Sequence, residues 1–448
     1  MEMNDLILVS VDDHVVEPPH VFEGRAPAHM VDRMPRMVHR EDGTDVWLFE
    51  DRVVTNIALN AVVGHRREDY AAEPTGFDQI RRGTWDIDAR IGDMNVNGQL
   101  AGMNFPSFLG MSGQFLLASR DKELALAVCR AWNDWHIDDW CAKHPGRMIP
   151  LAIVPLWDPQ LAAAEARRVA TKGCHAISFP PNPFKEGLPS LHEAAWDPFW
   201  SACTDNGIVV CLHFADAQSA IPSPDCPIDT WISNMQVSLY MTASDLVFSP
   251  ILRKFRDIRF AMSEGSCGWV PYFLERIDQV HHIHSTWTRQ DFGDRLPSEV
   301  FREHVQTCFI QDATGIKNRH DIGVHTMAWE CDYPHADTVW PNCPEILWES
   351  IKTVPDDEIE LICHRNAMRW YSFDPFRHIE RRDATVGALR AKAHAMGVDL
   401  TPIEMKGRGK WAGADTGRPI SFQDVMNQLK EMGMTKNQTG ENRAGQPG

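Results

Sequence analysis

The sequence predicts an α/β fold of the TIM (β/α)8 barrel type, and three observations lead to this prediction. Apolar segments alternate along the chain with amphipathic segments of about 10 to 15 residues, a pattern typical of parallel strands covered by helices. About eight such strands can be counted, which favours a closed barrel over an open sheet. No G-x-G-x-x-G segment follows a strand, so a dinucleotide-binding fold is disfavoured.

The first strand is the apolar beginning of LILVSVDDHVVEPP, residues 6–19. A polar segment rich in Arg and Asp, residues 23–92, follows it. We interpret this segment as an insertion that forms a small hairpin and loops over one face. Helical periodicity after Ile87 then predicts a helix that stops at Gly98 and leads into a buried strand.

The alternation of helix and strand continues to the end of the barrel. The predicted helices are KELALAVCRAWNDWHIDDWCAKHP, PQLAAAEARRVATKG, LHEAAWDPFWSACTDNG, TASDLVFSPILRKFRD and WVPYFLERIDQVHHI, closed by PEILWESIKTV and DEIELICHRNAMRWY. The predicted strands are RMIPLAIVPLWD, CHAISFPPNP, IVVCLHFAD, IRFAMSEGS and VHTMAWECDYPHADTVWP. We therefore predict a barrel over residues 1–375. The charged and then Gly-rich residues 376–448 are predicted to form a helical C-terminal arm with a disordered end.

Composition narrows the classes of partner. The formal charge of −18 would repel nucleic acids and anionic membranes over most of the surface. The sequence has no run of about 18 apolar residues and no basic-then-apolar leader, which predicts a cytoplasmic protein. The eleven cysteines are scattered without a C-x-x-C pair, which indicates reduced thiols rather than disulfides or a structural zinc site. A small-molecule substrate is the partner that we expect.

Ionisable residues gather where four of the predicted strands end, which is the active-site face of such a barrel. In strand order they are Asp12, Asp13, His14 and Glu17; His213 and Asp216; Glu264, beside Ser263; and Asp332 and His335. So many ionisable groups at a barrel mouth would be costly without a counter-ion. The sequence therefore predicts a metal site at this face.

Four of these residues form the predicted ligand set. Side chains alternate along a strand, so Asp12 and His14 are expected on one inward face while Asp13 points the other way. With His213 and Asp332 they make a set of histidines and carboxylates, which suits zinc, iron or manganese.

Other residues have open or weaker roles. Glu17 precedes two prolines that hold it near the strand end, and it is either a ligand of a second metal or a hydrogen-bond acceptor within the loop. His175 opens its strand and is expected at the opposite face of the barrel. We expect His281, His282 and His284 to form a solvated surface cluster on an irregular segment after a helix. Two roles are open for Trp269, Trp329 and Trp340: they form the wall of a pocket, or they pack helices against the barrel.

Six segments resemble successive blocks of the amidohydrolase-2 family: DDHVVEPP, RIGDMNVNGQLAGMNFPS, VCLHFAD, SEGSCGWVPYFLERID, CDYPHADTVWP and HRNAMRWYSFD. This branch of the amidohydrolase superfamily includes aminocarboxymuconate semialdehyde decarboxylase and the dihydroxybenzoate decarboxylases. The resemblance implies a distorted (β/α)8 barrel with one catalytic metal. It also implies that Asp12 and His14 match the first-strand ligand pair, His213 the fifth-strand ligand, and Asp332 a last-strand ligand that can transfer protons.

The sequence departs from this pattern at the sixth strand. Where the decarboxylases have a histidine within FAHGGG, this chain has FAMSEGS, so Ser263 or Glu264 stands in that neighbourhood. Carboxylate-rich sites favour iron and manganese over zinc, and some relatives of this fold are dinuclear iron or manganese oxygenases. We therefore expect one divalent metal ion or two, with Glu17 or Glu264 completing the second site.

Three functional hypotheses follow. The first is a mononuclear metal-dependent hydrolase or decarboxylase of a small carboxylate-bearing or amide-type substrate, in which Asp332 shuttles the proton and His213 and Glu264 complete the catalytic set. The second is a dinuclear iron or manganese oxygenase. The third is a non-catalytic subunit that lends its arm to a catalytic partner, and a homo- or hetero-oligomer is expected.

Overall fold

The computed structural model describes residues 1–71, 73–214, 223–411 and 417–431. Eight strands of these residues are parallel and three are antiparallel. In chain order they are β1 (Leu8–Val15), β2 (Arg36–His39), β3 (Asp45–Phe49), β4 (Arg52–Val54), β5 (Gln99–Pro106), β6 (Met148–Ile149), β7 (Ala176–Ser178), β8 (Val209–His213), β9 (Arg259–Ser263), β10 (Val305–Phe309) and β11 (Met327–Trp329).

The parallel strands follow one another around a ring. They lie in two sheets, of order β1-β5-β6 and β7-β8-β9-β10-β11. At one seam Ala152 donates its N–H to Ala176 and accepts a hydrogen bond from Ser178, at 3.0 and 2.9 Å. At the other seam the N–H of Asp332 donates to the carbonyl of Asp12, at 2.8 Å. Hydrogen bonds therefore connect the segment just beyond the last strand to the first strand, the neighbour that it has in a (β/α)8 barrel.

Every strand of the ring contributes to one apolar cluster in its interior. The members from the strands include Val9, Ala101, Ile149, Ala176, Cys211, Ala261, Cys308 and Ala328. Outward-facing residues such as Val210 and Met262 belong to a second cluster, shared with the surrounding helices. Because both faces of the sheet are covered, its strands are apolar on both sides, which is the pattern that the sequence shows.

Sixteen α-helices of the described residues accompany the strands. They are α1 (Ile87–Val96), α2 (Lys122–Trp135), α3 (Pro159–Ala170), α4 (Asp197–Asp205), α5 (Ile228–Asn234), α6 (Val237–Phe248), α7 (Ile251–Lys254), α8 (Val270–Thr288), α9 (Pro297–His304), α10 (Ala313–Lys317), α11 (Arg319–Ile322), α12 (Cys343–Ile351), α13 (Asp356–Glu360), α14 (Asn366–Trp370), α15 (Val386–Met396) and α16 (Phe422–Glu431). Helices α1, α2 and α3 begin after Asp86, Asp121 and Asp158, whose carboxylates accept hydrogen bonds from the free N–H groups of the first turn.

Several elements differ from the sequence-based expectation. Strand β10 is missing from the predicted set because Gln306 and Thr307 interrupt the apolar run of its sequence, VQTCF. The segment predicted as one helix at TASDLVFSPILRKFRD is two helices, α6 and α7, since Pro250 cannot continue the hydrogen bonding of the first. The prediction that His281, His282 and His284 lie on an irregular segment is wrong. These residues lie within α8, which ends at Thr288.

The predicted insertion contains a small antiparallel sheet, β2-β3-β4. Its Trp47 is fully buried and stacks on Phe108, with ring centroids 4.6 Å apart. Phe108 lies just beyond the end of β5, so the insertion packs at the carboxyl-terminal face of the barrel. The division into a barrel of residues 1–375 and an arm of residues 376–448 stays a prediction.

The first half of the arm packs against the opposite face of the barrel. Val386, the first residue of α15, donates its N–H to the carbonyl of Leu6, which precedes β1, at 2.8 Å. Ala384 and Leu389 belong to the interior cluster. This part of the arm therefore contributes to the apolar interior of the barrel. The final stretch KNQTGENRAGQPG, where a disordered end is expected, lies outside the described residues.

Two findings concern the membrane and the thiols. Among the described residues, none of the helices combines the length and the apolar character needed to cross a bilayer. All eleven cysteines are free, and all but Cys226 are buried.

Candidate metal centre

Six buried side chains converge at the carboxyl ends of the parallel strands. They form two overlapping groups, in each of which the donor atoms lie within 4.8 Å of one another. The first group is Asp12, His14, His213 and Glu264, and the second is His14, Glu264, Asp332 and His335. The structure thus brings together all the predicted ligands except Glu17, and it adds His335.

An irregularity in β1 turns the first two ligands inward. Val11 belongs to the interior cluster, so strict alternation along the strand would direct Asp13 inward as well. The pairing of β1 with β5 shifts between Ser10 and Asp13, and this bulge reverses the alternation. Asp12 and His14 consequently share the inward face.

The imidazole rings of His14 and His213 each lie between two carboxylates. Nε2 of His14 is 3.4 Å from Oδ1 of Asp12 and 3.2 Å from Oδ1 of Asp332. Nε2 of His213 is 3.5 Å from Oδ2 of Asp12 and 3.1 Å from Oε2 of Glu264. Nitrogen and oxygen donors from four strands therefore face a common centre.

His335 is the ligand candidate that the sequence-based set omits. Its Nδ1 lies 3.0 Å from Oδ1 of Asp332, and its ring covers that of His14 with centroids 3.8 Å apart. The N–H of His335 also donates to the carbonyl of Asp332, at 2.9 Å. The sequence signal for His335 was its place three residues after the last-strand aspartate, in DYPH. The direction of the His335 side chain, however, depends on the turn between the two residues.

Most donor atoms of the cluster have no hydrogen-bond partner among the described residues. The atoms are both carboxylate oxygens of Asp12 and Asp332, both ring nitrogens of His14, and Nε2 of His335. Buried polar atoms in proteins ordinarily have a partner. Unsatisfied nitrogen and oxygen atoms that converge on one point are the arrangement that a divalent cation completes, so the residues present fit such an ion.

Two of the histidines, His14 and His213, are held in the neutral form, which is the form that binds metals. Burial, together with the neighbouring His335, lowers the pKa of His14 to about 3. Burial also lowers the pKa of His213 well below its ordinary value, with His14 as a further cause. Both imidazoles are therefore uncharged at neutral pH.

The carboxylates of the cluster repel one another. Burial raises the pKa of Asp12 and of Glu264 well above the ordinary values, and neighbouring carboxylates raise them further. Burial alone would also raise the pKa of Asp332, but His335 and His14 beside it hold the pKa below the usual range. A cation would relieve the repulsion and displace the protons of the first two groups.

Glu17 has a structural role. Its Oε1 accepts hydrogen bonds from the N–H of Ser107 at 3.1 Å and from Nε1 of Trp132 at 2.9 Å. Its Oε2 accepts one from the N–H of Phe108, at 2.8 Å. Both oxygens accept hydrogen bonds, as the loop-acceptor alternative expects, and Glu17 is in neither group of convergent donor atoms. A role of Glu17 as ligand of a second metal stays a prediction.

The remaining predicted residues lie around the centre. Asp13 accepts a hydrogen bond from Nε2 of Gln99, at 2.8 Å, and does not face the cluster. Asp216 lies outside the described residues. Trp329 is buried in the outer apolar cluster, and Trp269 packs against Phe273 there, so these two tryptophans serve helix-to-barrel packing.

Manganese is expected to raise the unfolding temperature of the metal-free protein. An ion that binds only the folded state adds about 2.7 kcal/mol at a free concentration of 100 times its Kd, which corresponds to roughly 2–4 °C. Differential scanning calorimetry with Mn²⁺ and Mg²⁺ checks this. Mg²⁺ should act less strongly because it prefers oxygen ligands in octahedral geometry, and equal shifts for both ions would contradict a mixed nitrogen and oxygen site.

The chain belongs to a known family of enzymes. The family model described as Amidohydrolase matches residues 65–373, which is more than half of the chain. The matched range contains His213, Glu264, Asp332 and His335, and it begins after Asp12 and His14. Membership and the buried ligand set together define a metalloenzyme, a hydrolase or lyase that uses a divalent metal ion.

Solved structures share the fold at low sequence identity. An amidohydrolase from Mycobacterium avium subsp. paratuberculosis matches with a TM-score of 0.61 and 18% identity over 82% of this chain and 99% of its own. A 5-carboxyvanillate decarboxylase from Sphingomonas paucimobilis matches with a TM-score of 0.57 and 18% identity over 82% and 100%. The same kind of decarboxylase from Novosphingobium aromaticivorans, a mutant with bound manganese, matches with a TM-score of 0.59 and 16% identity over 82% and 97%. These likenesses establish the fold that the sequence predicts.

Proposed function

We propose that the protein is a manganese-dependent decarboxylase of a small aromatic carboxylic acid. The observation that carries the proposal is the convergence of unpartnered, buried histidine and carboxylate atoms at the barrel mouth. Support for the reaction comes from structural neighbours that are decarboxylases, one of them with bound manganese. Support for an aromatic substrate comes from Phe105 and Phe214, whose rings lie 5.2 Å from that of His213.

The ion would be held by Asp12, His14, His213 and Asp332, with Glu264 beside it. A bound divalent ion polarises a carboxylate or phenolic oxygen of a substrate. The neutral imidazoles of His14 and His213 supply donors without adding positive charge. Burial of the set excludes water, which strengthens every electrostatic interaction in the site.

Decarboxylation breaks a carbon–carbon bond, and the electron pair left on the ring carbon must receive a proton. Asp332 and His335 are placed for this transfer, since a carboxylate and an imidazole can each carry a proton and their Oδ1 and Nδ1 lie 3.0 Å apart. CO2 leaves when the carbon–carbon bond breaks, and delivery of the proton to the ring carbon gives the arene without its carboxyl group. In this scheme Glu264, which lies near the position where the resemblance leads one to expect a histidine, adjusts the charge around His213.

The experiment is a decarboxylation assay on the purified, Mn²⁺-loaded protein. 5-Carboxyvanillate and 2,6-dihydroxybenzoate are the first substrates to offer, with simple benzoates as a wider panel. We expect CO2 release and, in D2O, one deuterium on the carbon that lost its carboxyl group. The metal-free protein is the control. Hydrolysis of amides or esters without any CO2 release would instead favour the hydrolase.

A dinuclear oxygenase is the second candidate, because the two ligand groups overlap at His14 and Glu264 and together offer six side chains. Metal analysis separates the two functions. One manganese per chain supports the decarboxylase, whereas two iron or manganese ions per chain, with oxygen consumption, support the oxygenase. The intact ligand set favours a catalytic chain over a non-catalytic subunit.

A homo-oligomer stays a proposal that light scattering can test.

A further inference from the structure

Two ligand candidates occupy a backbone conformation that ordinary residues avoid. Glu264 and Asp332 both have φ of 58°, in the left-handed region. For a residue with a side chain this region costs free energy, and such strain persists where surrounding contacts enforce it. A group that enforces the conformation of Glu264 should therefore be present next to it.

Glu330 is that group. It lies just beyond β11, is fully buried, and its backbone N–H donates to the carbonyl of Phe309 at the end of β10, at 3.0 Å. Its Oε2 accepts a hydrogen bond from the N–H of Glu264, at 3.1 Å. Its Oε1 has no partner among the described residues. Burying a carboxyl group that makes a single hydrogen bond costs free energy. The presence of Glu330 at this position therefore points to a role for that one hydrogen bond.

We propose that Glu330 is a positioning residue, whose hydrogen bond to the N–H of Glu264 fixes the carboxylate of Glu264 against His213 in the metal centre. Without this acceptor the backbone of Glu264 is free to relax to negative φ. Its carboxylate, now 3.1 Å from Nε2 of His213, then turns away from the centre. The inference rests on the metal centre of the proposed function and adds a residue to it.

Two conservative variants separate positioning from the chemistry of the carboxyl group. Glu330→Gln keeps an acceptor oxygen at the same reach and replaces the carboxyl group with an amide. Glu330→Asp keeps the carboxyl group and shortens the reach by one methylene. If Glu330 acts through the hydrogen bond, Mn²⁺ affinity in the Gln variant stays close to that of the parent. In the Asp variant it falls by about 10–100-fold, the usual effect of removing a group that orients a ligand.

Isothermal titration with Mn²⁺ measures the affinities, and the Mn²⁺ paramagnetic resonance spectrum reports the ligand geometry. The reverse pattern, with Asp at parental affinity and Gln weakened, overturns the inference while leaving the metal centre in place. Parental affinity in both variants also overturns it. Failure of the parent itself to bind Mn²⁺ refutes the proposed function instead. Circular dichroism confirms that each variant is folded, and both variants keep the volume of the site nearly unchanged.

A different observation concerns residues 399–409 and 420–431 of the C-terminal arm, which return to the carboxyl-terminal face of the barrel. The first part lies on the segment between β4 and α1, within the insertion. Ile403 donates its N–H to the carbonyl of Gly64 at 2.9 Å, and the carbonyl of Gly409 accepts from the N–H of Glu73 at 2.7 Å. Asp78 forms ion pairs with both Lys406 and Arg408.

The second part lies on the segment that follows β8. Ile228 donates its N–H to the carbonyl of Ile420, and Phe422 donates to that of Cys226, each at 2.9 Å. The ring of Phe422 packs on Trp231, with centroids 5.8 Å apart. The arm therefore binds two segments that are far apart in the chain, one between β4 and α1 and one that includes α5.

One of these segments is tied directly to the metal centre. Val63 donates its N–H to the carbonyl of Pro334, at 3.0 Å, between the ligand candidates Asp332 and His335. Loops at this face of the barrel form the substrate pocket. From these contacts we infer that the arm is a strap that holds the mouth loops together and limits access to the centre.

Glycine variants test the strap in the metal-free protein. Gly409 and Gly407 both have positive φ, but a Cβ on Gly409 would overlap the carbonyl oxygen of Glu73, whereas nothing lies within 4 Å of a Cβ on Gly407. Gly409→Ala should therefore detach the arm, and Gly407→Ala is the matched control for the strain. The readouts are hydrogen exchange of residues 57–71 and the rate at which a water-soluble carbodiimide labels Glu264 and Asp332.

The strap predicts that both quantities rise severalfold in Gly409→Ala relative to Gly407→Ala. Faster exchange with unchanged labelling would show that the arm orders the loop but does not limit access. Equal values of both quantities in the two variants would show that the arm is not held at Gly409. Either result overturns the inference, and neither depends on metal binding or on the substrate.

Discussion

Replacing His14 with alanine is expected to remove the metal ion from the protein. His14 belongs to both ligand groups, and its Nε2 lies within 3.4 Å of the carboxylates of Asp12 and Asp332. Loss of this donor should weaken Mn²⁺ binding by at least about 100-fold, because loss of a group that merely orients a ligand already costs 10–100-fold. Metal analysis of the dialysed protein and calorimetric titration measure the effect.

The control for this prediction is His304→Ala. His304 is equally buried, but its Nδ1 lies 2.7 Å from the carbonyl of Ile258, away from the cluster. This variant should keep the parental metal content, although it loses a buried hydrogen bond. Retention of one metal per chain in His14→Ala would show that His14 is not a ligand, and equal metal loss in both variants would point to general destabilisation.

Replacing Glu17 with glutamine is expected to destabilise the fold while leaving the metal content unchanged. Three donors, the N–H groups of Ser107 and Phe108 and Nε1 of Trp132, converge on its carboxylate. An amide offers one acceptor oxygen and turns its NH2 group toward a donor. A buried donor left without an acceptor costs about 1–3 kcal/mol, so a loss of about 1–3 kcal/mol in the free energy of unfolding is expected.

The measurement is urea unfolding at pH 8, which lies above the pKa of about 7 to which burial raises Glu17. At this pH the parental side chain is a carboxylate. Asp13→Asn is a useful comparison, because Asp13 is also buried beside the centre and accepts from Gln99 without facing the ion. A fall in metal content in Glu17→Gln, with stability unchanged, would support Glu17 as a metal ligand.

The course of the barrel could be predicted because its strands are apolar and its helices amphipathic, and both patterns are local. The exception, β10, shows the limit of this approach. Gln306 is fully buried although it is polar, and a pattern of apolar residues alone cannot identify such a strand. Closure of the ring depends on contacts such as that between Asp332 and Asp12, which are far apart in the chain.

The candidate site could be predicted in part. Asp12, His14, His213, Glu264 and Asp332 stand at strand ends, and the carboxyl ends of parallel strands meet at one face of a barrel. His335 and Glu330 could not be assigned in this way. The direction of His335 is set by the turn after Asp332, and the role of Glu330 depends on an N–H group from another strand.

By itself the sequence determined the type of fold, the face that carries the chemistry and most of the residues that converge there. These follow from periodicity and from residue type at strand ends, which are properties of short segments. The tertiary structure alone decided that Glu17 is a structural acceptor, that a bulge turns Asp12 and His14 inward, and that the arm returns to the barrel mouth. Each of these depends on hydrogen bonds between segments distant in the chain, and no local pattern encodes the partner of such a bond.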